Sequence, residues 1–250
     1  LGLVVGLVYL LAPLRSGAYR WRLLGYGAGA GLLALLANSF WLWPVVQGRS
    51  SLQRTIDAFS TKDLAAFATT GHAQLGTPVN IAGLYGFWLE RYHSYVLPNR
   101  LLWLWLLVLL VLLAVVGIGV WTRWRANRRQ AVAVGLLGVL GFVVACGFSV
   151  PLTGGMLRWT VLHVPLLQGF REPEKFAGVL ALAYAYFLAY GVQWLLGRWP
   201  AQRESISWVA LALPIVYVPT MFFGFAGQLR AVQYPASWYA FNTSLQRSAH

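Results

Sequence analysis

Acidic residues are scarce in this chain. Six Asp and Glu stand among 250 residues, and only 10% of the sequence is charged against 59% hydrophobic. Soluble domains carry about a quarter of their residues as Asp, Glu, Lys and Arg, so this composition suits lipid rather than water. Cysteine is nearly absent. The single Cys146 lies in an apolar run, which excludes an internal disulfide and a thiolate metal cluster. The four histidines, His72, His93, His163 and His250, all fall outside the long apolar runs, so a transmembrane bis-histidine haem has no ligand pair. Those runs also lack Asp, Glu, Lys and Arg, and Asn38 and Gln193 are their large polar groups. Ion-coupled transport, which relies on ionisable groups within the membrane, is therefore disfavoured. Glycine-rich phosphate loops, a His-Glu-x-x-His pattern and a nucleophile elbow are missing too.

What is abundant is apolar sequence. Runs 23–46, 101–121, 131–151, 176–196 and 207–226 each have roughly the twenty residues needed to cross a bilayer, and 1–13 reads as a truncated span. Backbone polar groups in hydrocarbon must be paired within their own segment, so the runs are expected as α-helices. The predicted fold class is an all-α integral membrane protein with about six transmembrane helices and a long structured outer loop. Residues 1–226 form the helical bundle and 227–250 begin an extracytoplasmic segment. Both ends read as cut, so a longer protein is expected.

Charge placement predicts orientation. The formal net charge is +13. Arg15, Arg20, Arg22, Arg123, Arg125, Arg128, Arg129, Arg198 and Arg203 occupy three short loops against one acid, Glu204. By the positive-inside rule these loops face the cytoplasm, in a cell (plasma) membrane. Loops 47–100 and 152–175 and the C-terminus are then extracytoplasmic. Arginines spread through apolar sequence in this way indicate topology and anionic-lipid contact, and nucleic acid is not expected as a partner. Gly25-xxx-Gly29, Gly27-xxx-Gly31 and Gly135, Gly138 and Gly141 provide small surfaces on which helices can pack closely. In the long loop, Ser60-Thr-Lys-Asp63 has the form of a capping box, and 81–97 reads as an amphipathic interfacial helix.

Candidate chemistry gathers at the entrance to the run at 176. In Gly169-Phe-Arg-Glu-Pro-Glu-Lys-Phe176, Pro173 suits a first helical turn, Glu172 and Glu174 suit its positive end, and Arg171 and Lys175 bring cations to headgroup depth. The functional reading is an anion site, with a glutamate free for proton transfer; the structural one is an ordinary helix start with local ion pairs. Asn38, Trp41 and Trp43 are read either as a wall for a sugar or lipid or as an interfacial belt. Asp57, Asp63 and Glu90 are candidate general bases, or simply solvated carboxylates. His163 is either functional or an interfacial filler.

Taken in order, Asn38-Ser-Phe-Trp-Leu-Trp-Pro44, Asp63-Leu-Ala-Ala-Phe67, Gly86-Phe-Trp-Leu89, Gly169-Phe-Arg-x-Pro-x-Lys-Phe176 and Tyr234-Pro-x-x-Trp-Tyr239 form a pattern over residues 38–240. It resembles the membrane glycosyltransferases of GT-C type, in particular the arabinofuranosyltransferase-like branch, and corresponds to their later transmembrane part. The resemblance implies transfer of a sugar from a polyprenyl-phosphate donor to a glycan acceptor in the cell envelope. Arg171 and Lys175 then become donor-phosphate contacts, and Asn38, Trp41 and Trp88 line the cavity. The family's catalytic carboxylate belongs to an earlier outer loop and is expected upstream of Leu1; within this chain Glu172, Glu174 and Asp57 are the weak candidates. The sequence requires no cofactor, a divalent cation is compatible with the chemistry, and membrane lipids are expected partners. The alternatives are a non-enzymatic structural subunit of a membrane complex and a lipid or polysaccharide transporter.

Overall fold

The computed structural model describes residues 17–47, 61–93, 96–164, 167, 172–218, 220, 223, 227–229 and 232–248. The expected span 1–13, Asp57, Ser60 of the capping box and Arg171 lie outside these residues. Among them the chain is helical, with an isolated bridge between His72 and Gly76.

Helix α1 is Gly17–Val46, α2 Thr61–Ala66 and α3 Gly76–Ala82. They are followed by α4 Leu102–Ala126, α5 Arg128–Cys146 and α6 Pro151–His163. The last three are α7 Ala177–Arg198, α8 Arg203–Tyr217 and α9 Ala236–Ser248. Among the described residues, three stretches are long and apolar enough to cross a membrane: Leu102–Ala126, Arg128–Ser149 and Pro173–Arg198. Twenty-five residues of α-helix run for about 37 Å, more than the ~30 Å of a hydrocarbon core. Of the apolar run 207–226, residues 219, 221–222 and 224–226 lie outside the described residues. Helix α8 starts earlier, at Arg203, and ends at Tyr217, with Pro214 inside its last turn.

Helices α4, α5 and α7 pack together, and glycine sets how closely. A methyl on Gly119 of α4 would fall within the backbone carbonyl of Phe187 of α7, and one on Gly191 of α7 within the carbonyl of Val115. On α5, a Cβ at Gly138 would lie 2.9 Å from the Ala183 Cβ, and one at Gly141 2.9 Å from the Val179 Cβ. Without a hydrophobic drive between helices in lipid, such close approach and its dispersion contacts hold a bundle together. The expected small surface on α5 is thus used at Gly138 and Gly141, whereas Gly135 is open. A Cβ added at Gly25, Gly27, Gly29 or Gly31 of α1 would meet nothing within 4 Å among the described residues.

The two ends of the bundle differ in chemistry. At one end, Asn127 turns α4 into α5, and its side chain accepts the Gln130 N–H at 3.2 Å as an N-cap. Arg123 donates through Nε to the Tyr186 hydroxyl at 3.0 Å and lies over the Tyr190 ring. Arg125 stacks on Trp121 and Arg128 on Trp124. Arginine and aromatic side chains satisfy each other here as they do at a membrane–water boundary. The other end carries residues 61–101.

Two expectations about loops are corrected. Residues 81–97 do not form one amphipathic helix. Helix α3 ends at Ala82, Leu84 takes a left-handed conformation (φ 61°), Gly86 sits at φ 124°, and a 3-10 turn covers Trp88–Tyr92. A Cβ at Gly86 would press on Ile81 and Thr69 as well as strain the backbone, which explains glycine there. The loop 152–175 likewise begins as helix α6, with Pro151 at its first turn.

The packing yields a paired prediction. Gly191→Val should lower the unfolding midpoint in detergent, at a cost of about 1–3 kcal/mol or more for overpacking against backbone. Gly117→Ala, in open space on α4, should leave it unchanged or raise it. Equal behaviour of the two variants would contradict the packing.

Candidate functional site

The segment 69–101 is fixed to the bundle by polar contacts that secure its backbone. The Thr69 hydroxyl donates to Ala145 O at the end of α5 (2.7 Å), and Ser149 donates back to Thr69 O (2.7 Å). Tyr184 of α7 donates to Ala82 O (3.1 Å). Tyr217 of α8 donates to Gly83 O (2.7 Å) and accepts the indole N–H of Trp105 of α4 (3.2 Å). Tyr85 donates to Tyr217 O (3.2 Å). Burial first, then the nearby Tyr217 and Glu90, push the Tyr85 phenol above its ordinary range, so it remains a neutral donor. Gln228 clasps the segment from the far side, donating to Val96 O and accepting the Val96 N–H.

Inside the segment, Asn80 is the node. It is 1% exposed, and its amide N–H groups donate to Thr70 O (2.9 Å) and Glu90 Oε2 (3.1 Å). Its Oδ1 accepts from Asn99 Nδ2 (3.1 Å). The other Glu90 oxygen accepts the N–H groups of Gly86 (2.7 Å) and Phe87 (2.9 Å). Glu90, a candidate base by sequence, is thus a carboxylate committed to three donors, a brace for the Gly86 turn. His72 Nε2 meets Asn99 O at 3.0 Å and its Nδ1 accepts the Gln74 N–H at 3.2 Å. A carbonyl can only accept, so these partners place the proton on Nε2. The ring lies flat on Trp105, 5.6 Å between centroids.

Around this node opens a groove of about 580 Å³. Its polar lining includes His72, Glu90, Arg91, His93, Asn99 and Arg100, and Leu102, the first residue of α4, forms part of its floor. Arg91 is anchored, with Nε on Trp88 O (3.1 Å), Nη1 on Ala65 O (3.1 Å) and Nη2 on Ala68 O. Arg100 is exposed, and its Nη2 meets His93 Nδ1 at 2.8 Å. Two guanidiniums and two imidazoles against one committed carboxylate leave the groove cationic. Its size is that of a small-molecule site. Directly beyond Leu102, Trp103, Leu107 and Leu110 share a face of α4 at i, i+4 and i+7, and all three are more than half exposed.

The residues singled out by sequence fall in several places. Lys175 and Glu172 pair with each other (2.9 Å), Lys175 being 70% exposed, and Lys175 is not among the groove-lining residues. Glu174 is buried, and neither of its oxygens meets a hydrogen-bond donor. Arg91 reaches it electrostatically from the other loop, as do Glu172 and Lys175. The 3-10 turn Pro173–Phe176 therefore sits beside the long segment, in contact with α5. Trp88 packs edge-on against Phe67, and its indole N–H is buried without an acceptor. Asn38 donates to Ala34 O within α1 (2.8 Å) and is not among the groove-lining residues. Asp63 lies in the first turn of α2, and His163, bonded to Trp159 O, ends α6. A second, wholly apolar cavity of about 200 Å³ is lined by Phe148, Leu157, Val161, Pro173 and Phe176 among others.

Among the described residues, no three His, Cys, Asp or Glu side chains come together as a metal-binding group. Compared with protein-family models, curated proteins and solved structures, the chain matches none.

Asn80 gives a sharp test of this geometry. Each buried group left unpaired costs about 1–3 kcal/mol, and Asn80→Ala strips partners from Thr70 O, Glu90 Oε2 and Asn99 Nδ2. The variant should lose about 2–4 kcal/mol in a reversible unfolding assay. Tyr217→Phe, which orphans Gly83 O and the Trp105 indole, should lose about 1–3 kcal/mol. Wild-type stability in both would contradict the network.

Proposed function

We propose that this chain is the membrane part of a glycosyltransferase that takes a sugar from a polyprenyl-phosphate donor and passes it to a glycan acceptor outside the cytoplasm. The observation that carries the reading is the cationic groove at the head of α4, a helix that also has an exposed apolar face. A lipid-linked sugar phosphate has the matching order of parts: a polar head, a phosphate, then hydrocarbon. With its phosphate at Arg100, its isoprenoid chain would run along Trp103, Leu107 and Leu110. The sugar would lie over His72, Glu90 and Asn99.

The groove stands at the end of the bundle away from Arg123, Arg125 and Arg128. By the positive-inside rule that end is extracytoplasmic, where lipid-linked sugars are used once flipped. The resemblance of the sequence Gly169–Phe176, with Arg171 and Lys175, to GT-C enzymes points the same way. Electrostatic holding of a phosphate leaving group is chemistry that guanidinium groups perform well, because a planar fork matches phosphate oxygens. The structural-subunit reading draws on a different observation, the open glycine face of α1.

The test is transfer by the full-length protein in proteoliposomes, offered farnesyl-phosphoryl pentoses and hexoses with an oligosaccharide acceptor. Product is expected with at least one donor, and Arg100→Ala should lower kcat/KM by about 10- to 100-fold, the worth of one charge-assisted contact. Absence of product across the series would refute the reading.

A further inference from the structure

His93 is a non-glycine residue in the left-handed region, φ 55° and ψ 25°, closing the 3-10 turn Trp88–Tyr92. Its own N–H bonds to Glu90 O (3.2 Å), so the strained turn is tied to the Asn80–Glu90 node. Strain of this kind persists where the surroundings over-determine it, and it clusters at ligand sites. The conformation sets the imidazole at the groove, where Arg100 reaches it.

The contact between them has a defined polarity. A guanidinium has only donors, so at 2.8 Å Arg100 Nη2–H must donate and His93 Nδ1 must accept. An imidazole that accepts at Nδ1 carries its proton on Nε2 while neutral. The ring then presents an N–H donor on its outer edge, and the guanidinium that fixed the tautomer supplies charge and further N–H groups beside it. His72, in the same groove, is different, since both of its nitrogens are engaged by Asn99 O and the Gln74 N–H. Arg91 is held by three backbone carbonyls. Glu90 spends its oxygens on Gly86, Phe87 and Asn80. Arg91 commits three of its five N–H groups to those carbonyls and is pinned by them. Among the described residues, His93 and Arg100 are instead held by their side chains only to each other and can turn their remaining donors to a ligand.

We propose that His93 and Arg100 form a phosphate-binding dyad in which Arg100 sets the imidazole tautomer and both side chains donate to the phosphate oxygens. The ligand class is a phosphate ester, with its ester oxygen directed towards Leu102, the apolar residue of α4 in the groove lining. This rests on the groove being a ligand site and deepens the function proposed above, but it stands or falls separately from sugar transfer. Planar guanidinium and imidazole donors side by side match the spacing of two phosphate oxygens. The burden on His93 is directional, because an acceptor for Arg100 is not enough and the Nε2–H must be present.

That directionality makes the test specific. Asparagine tolerates the left-handed region better than other substituents, and its side-chain oxygen sits where Nδ1 does. His93→Asn therefore keeps the fold and the partner of Arg100 while deleting the outer N–H. His93→Gln extends an amide to the position of Nε2 and restores a donor. Binding of farnesyl phosphate, with farnesol as the uncharged control and inorganic phosphate as the chainless one, would be measured by calorimetry on the full-length protein in nanodiscs. His93→Asn and Arg100→Gln should each weaken farnesyl phosphate at least tenfold, His93→Gln should stay within about threefold of wild type, and farnesol affinity should not move. Farnesyl phosphate binding that is absent, or unaltered in both His93→Asn and Arg100→Gln, would overturn the dyad. Phosphate binding with this pattern in a protein that transfers no sugar would uphold the dyad and remove the transferase.

Discussion

Everything at the groove end of this molecule depends on one constraint: a non-helical backbone laid over an apolar bundle must find partners for its N–H and C=O groups. Asn80 and Glu90 meet that constraint within the segment, taking the Thr70 carbonyl and the Gly86 and Phe87 amides. Thr69, Tyr184 and Tyr217 meet it between segment and bundle, at Ala145, Ala82 and Gly83. These bonds are worth only about 1 kcal/mol each when made, but leaving such groups buried and unpaired costs more. The segment is therefore locked in one arrangement rather than merely attracted to the bundle. A groove with fixed walls follows from that lock.

The same lock explains the division of labour among charged side chains. Glu90 and Arg91 stand at the groove yet are spent on structure, one on amides and the other on carbonyls. Their neighbours His93 and Arg100 are held on the resulting frame and retain free donors. Function is read from the groups that the fold does not consume. Glu174 is the contrasting case: a buried carboxyl whose oxygens meet no donor, within electrostatic reach of Arg91, on the turn that joins the second loop to the first.

Much of the bundle was legible in the sequence. The runs at 101, 131 and 176 emerge as helices within a few residues of their expected limits, because nothing competes with a helix over twenty apolar residues. Gly138 and Gly141 also pack as small residues should. Helix α8 ends at Tyr217, whose phenol is drawn to Gly83 and Trp105, and Pro214 withholds one N–H within its last turn. The interfacial helix expected over 81–97 was misread because its aromatic residues do not serve one helical face. They pack on each other around the Gly86 turn, whose positive φ leaves no periodic trace. Charges are dense in sequence at Arg171–Lys175, which makes that motif legible. The groove assembles His72, Glu90, His93, Asn99 and Arg100 from across about thirty residues, bridged by Asn80, an uncharged side chain with no motif to announce it.

The account's central claim is that the groove holds the head of a lipid-linked phosphate. The most direct measurement is an experimental density map of the full-length protein in lipid nanodiscs with a polyprenyl-phosphoryl-sugar analogue. The account predicts phosphate density against Arg100 and His93, with the chain descending past Trp103, Leu107 and Leu110. A groove closed by protein, with the analogue elsewhere or unbound, would contradict it.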